Sequence, residues 1–146
     1  MTAEVGKAAP DFTLKDQAGN DVTLSSFKGK SSVALHFYPF TFTAVCEGEL
    51  CRIRDDYSDF EQAGVQVLAV SCDSRHSQRV WAEQQGFTFP VLSDFWPHGA
   101  VAKEYGVFNE QLGCAIRATF LIDKFSTDSL GTARDPERYA ASLAKL

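Results

Sequence analysis

The chain has 146 residues, with 14 Lys plus Arg against 19 Asp plus Glu for a formal charge of -5, and 45% of it is hydrophobic, including 12 Phe. That fits one compact domain with a substantial core and argues against wholesale disorder. The acidic balance without a basic run leaves no footprint for nucleic acid or an anionic membrane, no stretch approaches the roughly 18 apolar residues of a membrane span, and the first residues lack the basic lead and apolar segment of a signal peptide.

Between residues 12 and 24, Phe12, Leu14, Val22 and Leu24 alternate with polar residues around the turn Ala18-Gly19-Asn20, which predicts an N-terminal β-hairpin. Residues 32–38 are apolar nearly throughout and stop at Pro39, as in a strand covered on both faces. Residues 46–64 place Leu50, Ile53, Tyr57 and Phe60 at helical spacing, with Gly64 as a stop, and predict one amphipathic helix. A second apolar strand follows over 65–71, then a helix over 75–85 closed by Gly86 and a short strand over 89–92. The alternation of strand and helix implies βαβ crossovers and a mainly parallel sheet with helices on both faces. A short helix over 100–105, a strand over 119–122 and a closing helix over 136–145, with Pro136 in its first turn, complete the order.

The loop from Tyr38 to the helix start carries the chemistry. Cys46 falls in a helix's first turn, where unpaired backbone N–H groups and the positive dipole end favour the thiolate, the reactive form of cysteine. Thr43, three residues upstream, can place its hydroxyl beside the sulfur, and Pro39 restricts the loop and shields one side from water. An inert buried thiol is the competing reading, and spacing alone does not separate the two. Four cysteines, Cys46, Cys51, Cys72 and Cys114, are too few and too scattered for a secreted disulfide framework, so a cytoplasmic setting with mostly reduced thiols is expected.

Pro39-x-x-x-Thr43-x-x-Cys46 resembles the active-site motif of the peroxiredoxins, with Cys46 in the place of the peroxidatic cysteine. Ala9-Pro10-Asp11-Phe12-Thr13-Leu14 and the run from Val22 to Lys30 look like that family's N-terminal hairpin. The runs from Ser93 to Gly99 and from Tyr105 to Glu110 resemble its one-cysteine alkyl hydroperoxide reductase E branch, and Arg117 occupies the position of its active-site arginine. The resemblance spans residues 5 to 123. It implies an α/β, thioredoxin-like fold with a central mixed sheet flanked by helices. It also implies reduction of hydrogen peroxide, organic hydroperoxides or peroxynitrite with no metal or prosthetic group, and commonly a homodimer.

Thiolate attack on a peroxide develops negative charge on the departing oxygen, so donors must be in place beforehand. The Thr43 hydroxyl, the N–H of Val45 or Cys46 and the Arg117 guanidinium are the candidates, and Arg117 also favours the thiolate. Glu49, one turn after Cys46, can orient that arginine or serve simply as a solvated acid on the helix face. Cys51 matches the resolving cysteine of the peroxiredoxin Q, or bacterioferritin comigratory, branch, where an internal disulfide is reduced by thioredoxin. Five helical positions separate the two Cα atoms by ~8 to 9 Å, beyond disulfide reach, so the first turns would have to unwind.

If Cys51 is only a core residue, the sulfenic acid passes to an external thiol, mycothiol or glutaredoxin in type. Cys114, just before Arg117, is a third candidate or an ordinary strand-edge residue, and Cys72 reads as structural. His36, within the buried strand, reads as a hydrogen-bonded core histidine. The non-enzymatic alternative is a thioredoxin-like redox sensor or interaction module. After Asp123 the chain runs quickly to Gly131 where the family has a Gly-containing turn, so the last strand is left unassigned and a shortened hairpin would expose a sheet edge.

Overall fold

The computed structural model describes residues 3, 8–123 and 129–132. The closing helix expected over 136–145 lies outside the described residues. The N-terminal hairpin forms as predicted: β1 (Thr13–Lys15) and β2 (Asp21–Thr23) pair antiparallel, with Lys15 opposite Asp21. The Asp16 carboxylate closes its turn by accepting from the backbone N–H groups of Ala18 and Asn20, both at 2.9 Å.

A 3₁₀ turn (Leu24–Phe27) leads to β3 (Ser32–Phe37), whose six residues are all buried. Then come α1 (Ala44–Asp55), α2 (Tyr57–Gln62), β4 (Val65–Ser71), α3 (Arg75–Gln85) and β5 (Val91–Ser93). The second half holds α4 (Ala100–Glu104), a small hairpin of β6 (Phe108–Asn109) and β7 (Cys114–Ala115), and then β8 (Ala118–Ile122) and β9 (Ser129–Thr132).

The main sheet has the order β2-β1-β5-β4-β3-β8-β9. Only its centre is parallel: β5, β4 and β3 run together, whereas β1, β8 and β9 pair antiparallel with their neighbours. The mainly parallel sheet expected from the strand–helix alternation is therefore corrected, and the central mixed sheet that the family resemblance implied is what forms. Helical crossovers return the chain to the same end of the sheet and make the central strands parallel. After α4 and the small hairpin the chain instead enters beside the C-terminal end of β3, so β8 runs against it, Ala118 opposite Phe37.

Three further differences from the sequence reading have local causes. The single helix expected over 46–64 begins two residues earlier and is interrupted at Asp56 (φ -96°, ψ 8°), where two consecutive aspartates, weak helix formers, break the ladder. The strand expected over 89–92 pairs only from Val91, because Pro90 has no N–H to give. A further strand does follow Asp123: β9 pairs with β8, with a register shift between Leu121 and Ile122.

Alternate residues of the central strands divide the core in two. Ala34, Val67, Ala69, Val91 and Leu121 face Leu50, Ile53, Phe60 and Trp81 of α1 to α3, while Leu35, Leu68, Val70 and Phe120 face Val101 and Ala102 of α4. Helices thus cover both faces, as predicted. Gly86 ends α3 in the left-handed region (φ 72°), where a side chain would be strained. At Gly99 a Cβ would stand 2.1 Å from the Phe108 ring, so only glycine lets α4 begin there.

Candidate active site

The candidate site residues converge at the C-terminal end of β3. The chain leaves the strand at Tyr38, whose N–H donates to the Val70 carbonyl at 3.0 Å, and turns through Pro39 into α1. Because β8 runs antiparallel and opposes Ala118 to Phe37, the residue before it, Arg117, arrives at the same end.

The loop is tied down before the helix begins. Thr41 N–H donates to Asp73 Oδ2 at 2.8 Å, the Ser71 hydroxyl donates to the same oxygen at 2.7 Å, and the Tyr38 and Thr41 hydroxyls share a hydrogen bond of 3.0 Å. Tyr38 is fully buried, and burial pushes its phenol well up, so it stays neutral. Phe42 adopts φ 68°, unusual for a bulky side chain and a sign that the surrounding bonds over-determine the turn.

Thr43 is the N-cap of α1 in extended conformation, but its hydroxyl makes no cap. It donates instead to the Phe40 carbonyl at 2.7 Å. With its one hydrogen on Phe40, the hydroxyl leaves its lone pairs free to accept in this arrangement. The first intrahelical bond is Glu47 N–H to the Thr43 carbonyl, 2.8 Å, so the N–H groups of Val45 and Cys46 precede the helical ladder and are not capped by the Thr43 side chain. Cys46 is the third helical residue and its side chain is fully buried.

Above this helix end sits a charged clamp. Arg117 Nη1 donates to Glu49 Oε1 at 2.6 Å, and the guanidinium also faces the Cys46 thiol closely enough to interact with it. Burial acts to lower the Arg117 pKa, but Cys46 and Glu49 outweigh it and raise the value. The second Glu49 oxygen stands 3.3 Å from His36 Nε2, and His36 Nδ1 shares a 2.8 Å hydrogen bond with Thr119 Oγ1. Burial pushes the Glu49 carboxyl up, yet the contacts with His36 and Arg117 together hold it below its ordinary value. Glu49 thus lies bonded to Arg117, the placement that its orienting reading requires.

Other predicted residues fall as follows. Pro39 is half-buried beside the loop, and Val45 leaves its side chain 62% exposed while contributing its backbone. Cys51 is half-buried on the same uninterrupted helix as Cys46, its thiol 3.6 Å from Gln85 Oε1, and neither cysteine is in a disulfide. Cys114 is buried near enough to Cys46 and Arg117 to feel both, and burial raises its thiol pKa. Cys72, also buried, is pushed up to about 12.

Two contributors escaped sequence reasoning. Glu47 accepts the Trp81 indole N–H at 3.1 Å, bracing α1 against α3, and Asp73 anchors the loop. The first had a readable signal, since a buried indole needs an acceptor. The second had none.

A buried thiol at a helix N-terminus, faced by an arginine carried on the neighbouring antiparallel strand, defines a thiol-based redox enzyme. The chain belongs to the AhpC/TSA family, whose profile matches residues 5–127. It is 46% identical over 148 residues to alkyl hydroperoxide reductase E of Mycobacterium tuberculosis, covering 97% of each chain. It is 38% identical to the chloroplastic peroxiredoxin Q of Sedum lineare, over 97% of this chain and 76% of that one. Among solved structures it superposes on the crystal structure of peroxidoxin BcpB from Mycobacterium tuberculosis with a TM-score of 0.88 and 30% identity, covering 99% and 98% of the two chains. The fold is thus the thioredoxin-like fold of the peroxiredoxins.

Proposed function

We propose that this thiol-dependent peroxidase uses Cys46 as its nucleophile toward hydrogen peroxide, organic hydroperoxides or peroxynitrite. The thiolate attacks one peroxide oxygen and an S–O bond forms as the O–O bond breaks; the departing oxygen takes up a proton to leave as water or alcohol, or leaves unprotonated as nitrite when the substrate is peroxynitrite. Sulfur is oxidised to the sulfenic acid and the peroxide is reduced. The observation that carries this reading is the Arg117 guanidinium held by Glu49 over the uncapped first turn that contains Cys46.

Arg117 and the N–H groups of Val45 and Cys46 stabilise the charge that grows on the departing oxygen. The Thr43 oxygen accepts from a peroxide O–H, and Pro39 limits water on one side. The cycle calls on no metal or prosthetic group. It needs a thiol reductant: Cys51 followed by thioredoxin, or an external thiol such as glutaredoxin or mycothiol. Such a cycle suits a cytoplasmic setting.

A homodimer also fits. Large apolar side chains stand exposed next to the site, Phe42, Val45 and Ile116 at 53%, 62% and 46%, and Phe95, Trp96 and Leu112 are exposed as well, surface that a second copy would cover. A monomer in sedimentation at micromolar concentration would count against it.

The deciding experiment adds one equivalent of hydroperoxide to the reduced protein, alkylates the remaining thiols and maps the products by mass. A gain of one oxygen on Cys46 assigns the external-thiol cycle, and a Cys46–Cys51 link assigns the internal one. No prompt change at Cys46, or full peroxide consumption by Cys46→Ser, would overturn the assignment.

A further inference from the structure

His36 is the penultimate residue of β3, between Leu35 and Phe37, and is only 2% exposed. Filling that space would not require a polar ring, and burying one is costly unless its nitrogens find partners. Both nitrogens face polar groups from two other elements. The β3–β8 register sets His36 directly opposite Thr119, whose hydroxyl is 2.8 Å from Nδ1. On the side facing α1, Nε2 stands 3.3 Å from Glu49 Oε2.

When the Thr119 hydroxyl donates to Nδ1, Nε2 is the ring nitrogen that carries a hydrogen, on the side of Glu49. The Glu49 carboxylate is then approached by a donor on each oxygen, Arg117 at Oε1 and His36 at Oε2. A carboxylate held at one oxygen can rotate, and a long arginine that depends on it moves with it. Held at both, it gives Arg117 one orientation, the one that faces Cys46.

We propose that His36 is a positioning residue of the peroxidase, fixing Glu49 and through it the Arg117 guanidinium against Cys46 from the face of the sheet that α1 covers. The chain of contacts runs Thr119, His36, Glu49, Arg117, Cys46; the charged group that faces the imidazole is Glu49 from α1, and Arg117, from the approach to β8, lies on the far side of that carboxylate. The proposal rests on the assignment of Cys46 and Arg117 made above.

The test measures two quantities in wild type, His36→Phe, His36→Gln and Thr119→Val: the rate constant of Cys46 oxidation by hydroperoxide, and the pH profile of Cys46 alkylation by iodoacetamide. His36→Phe keeps bulk and removes both nitrogens. It is expected to slow oxidation about ten- to a hundredfold, the usual cost of removing the support behind a functional group, and to move the alkylation midpoint upward as the guanidinium drifts from the sulfur. His36→Gln, whose amide can still donate toward Glu49, recovers part of both effects, and Thr119→Val shifts both in the direction of His36→Phe.

A folded His36→Phe with wild-type rate and wild-type midpoint overturns the proposal. If that variant does not fold, Thr119→Val decides in the same way, an unshifted profile counting against it. A wild-type protein whose Cys46 fails to react would instead overturn the site assignment, so the two failures are distinguishable.

Discussion

Arg117 Nη1 and Glu49 Oε1 are 2.6 Å apart although 68 positions separate them in the chain. The pair joins the approach to β8 to the first turns of α1 and sets a fixed cation over Cys46. Charge-assisted bonds of this kind are the strong ones, and an arginine fork holds a direction that a lysine ammonium does not.

Removing that cation therefore tests the site most directly. Arg117→Ala should slow Cys46 oxidation by about 10²- to 10³-fold, the usual loss for one donor to a developing oxyanion. Arg117→Lys should recover only a small part, because its single ammonium cannot serve Glu49 and the sulfur together. Stopped-flow tryptophan fluorescence can follow this, since Trp81 bonds to Glu47 in the first turn of α1.

Acid should weaken the same clamp. The Glu49 carboxyl is held below its ordinary value in the folded protein, so its contribution to stability is complete above the unfolded value of about 4.3. It is lost as pH falls through the lower, folded value. Urea midpoints measured from neutral pH downward should decline in that range, and Glu49→Gln should decline less. An identical decline in the two proteins would remove Glu49 as the source.

Gly48 stands between Cys46 and Cys51 inside α1, and a Cβ there would meet nothing within 4 Å. Gly48→Ala should stabilise the helix by about 0.5–1 kcal/mol. If Cys51 resolves the sulfenic acid, the first turns must unwind to let the sulfurs meet, and this variant should form the Cys46–Cys51 disulfide more slowly. Quenched-flow alkylation after a hydroperoxide pulse measures the rate, and no slowing would argue that the helix need not open.

Cys72 and Cys114 should be silent. Burial, aided by nearby acids, pushes Cys72 up to about 12, and burial also raises Cys114. Under native conditions at pH 8, iodoacetamide should label neither before Cys46, and both should react promptly in denaturant. Early labelling of Cys114 in the folded protein would contradict this and reopen its candidacy as a resolving thiol.

Much was legible from order and spacing because it depends on neighbours along the chain. The alternation of apolar residues predicts β1 and β2, the unbroken apolar run predicts β3, and a cysteine just past a strand and loop predicts the thiol at the start of α1. Gly86 reads as the end of α3 for the same local reason. The short pairings β6–β7 and β8–β9 were not legible, since two- to four-residue strands have too little pattern to stand out and form only against a partner.

The sequence by itself singled out the candidates for the chemistry: Cys46 with Thr43, and Arg117 by its match to a family pattern. Only the tertiary structure decided what they do to each other. It turned the Thr43 hydroxyl onto Phe40, set Glu49 on Arg117 rather than in solvent, and opposed His36 to Thr119. Side-chain hydrogen bonds across a sheet follow from strand register and direction, and register is settled by the packing of two whole core faces at once. No window of the chain contains that information, because β3, α1 and β8 come together only when both layers of the core close around the sheet.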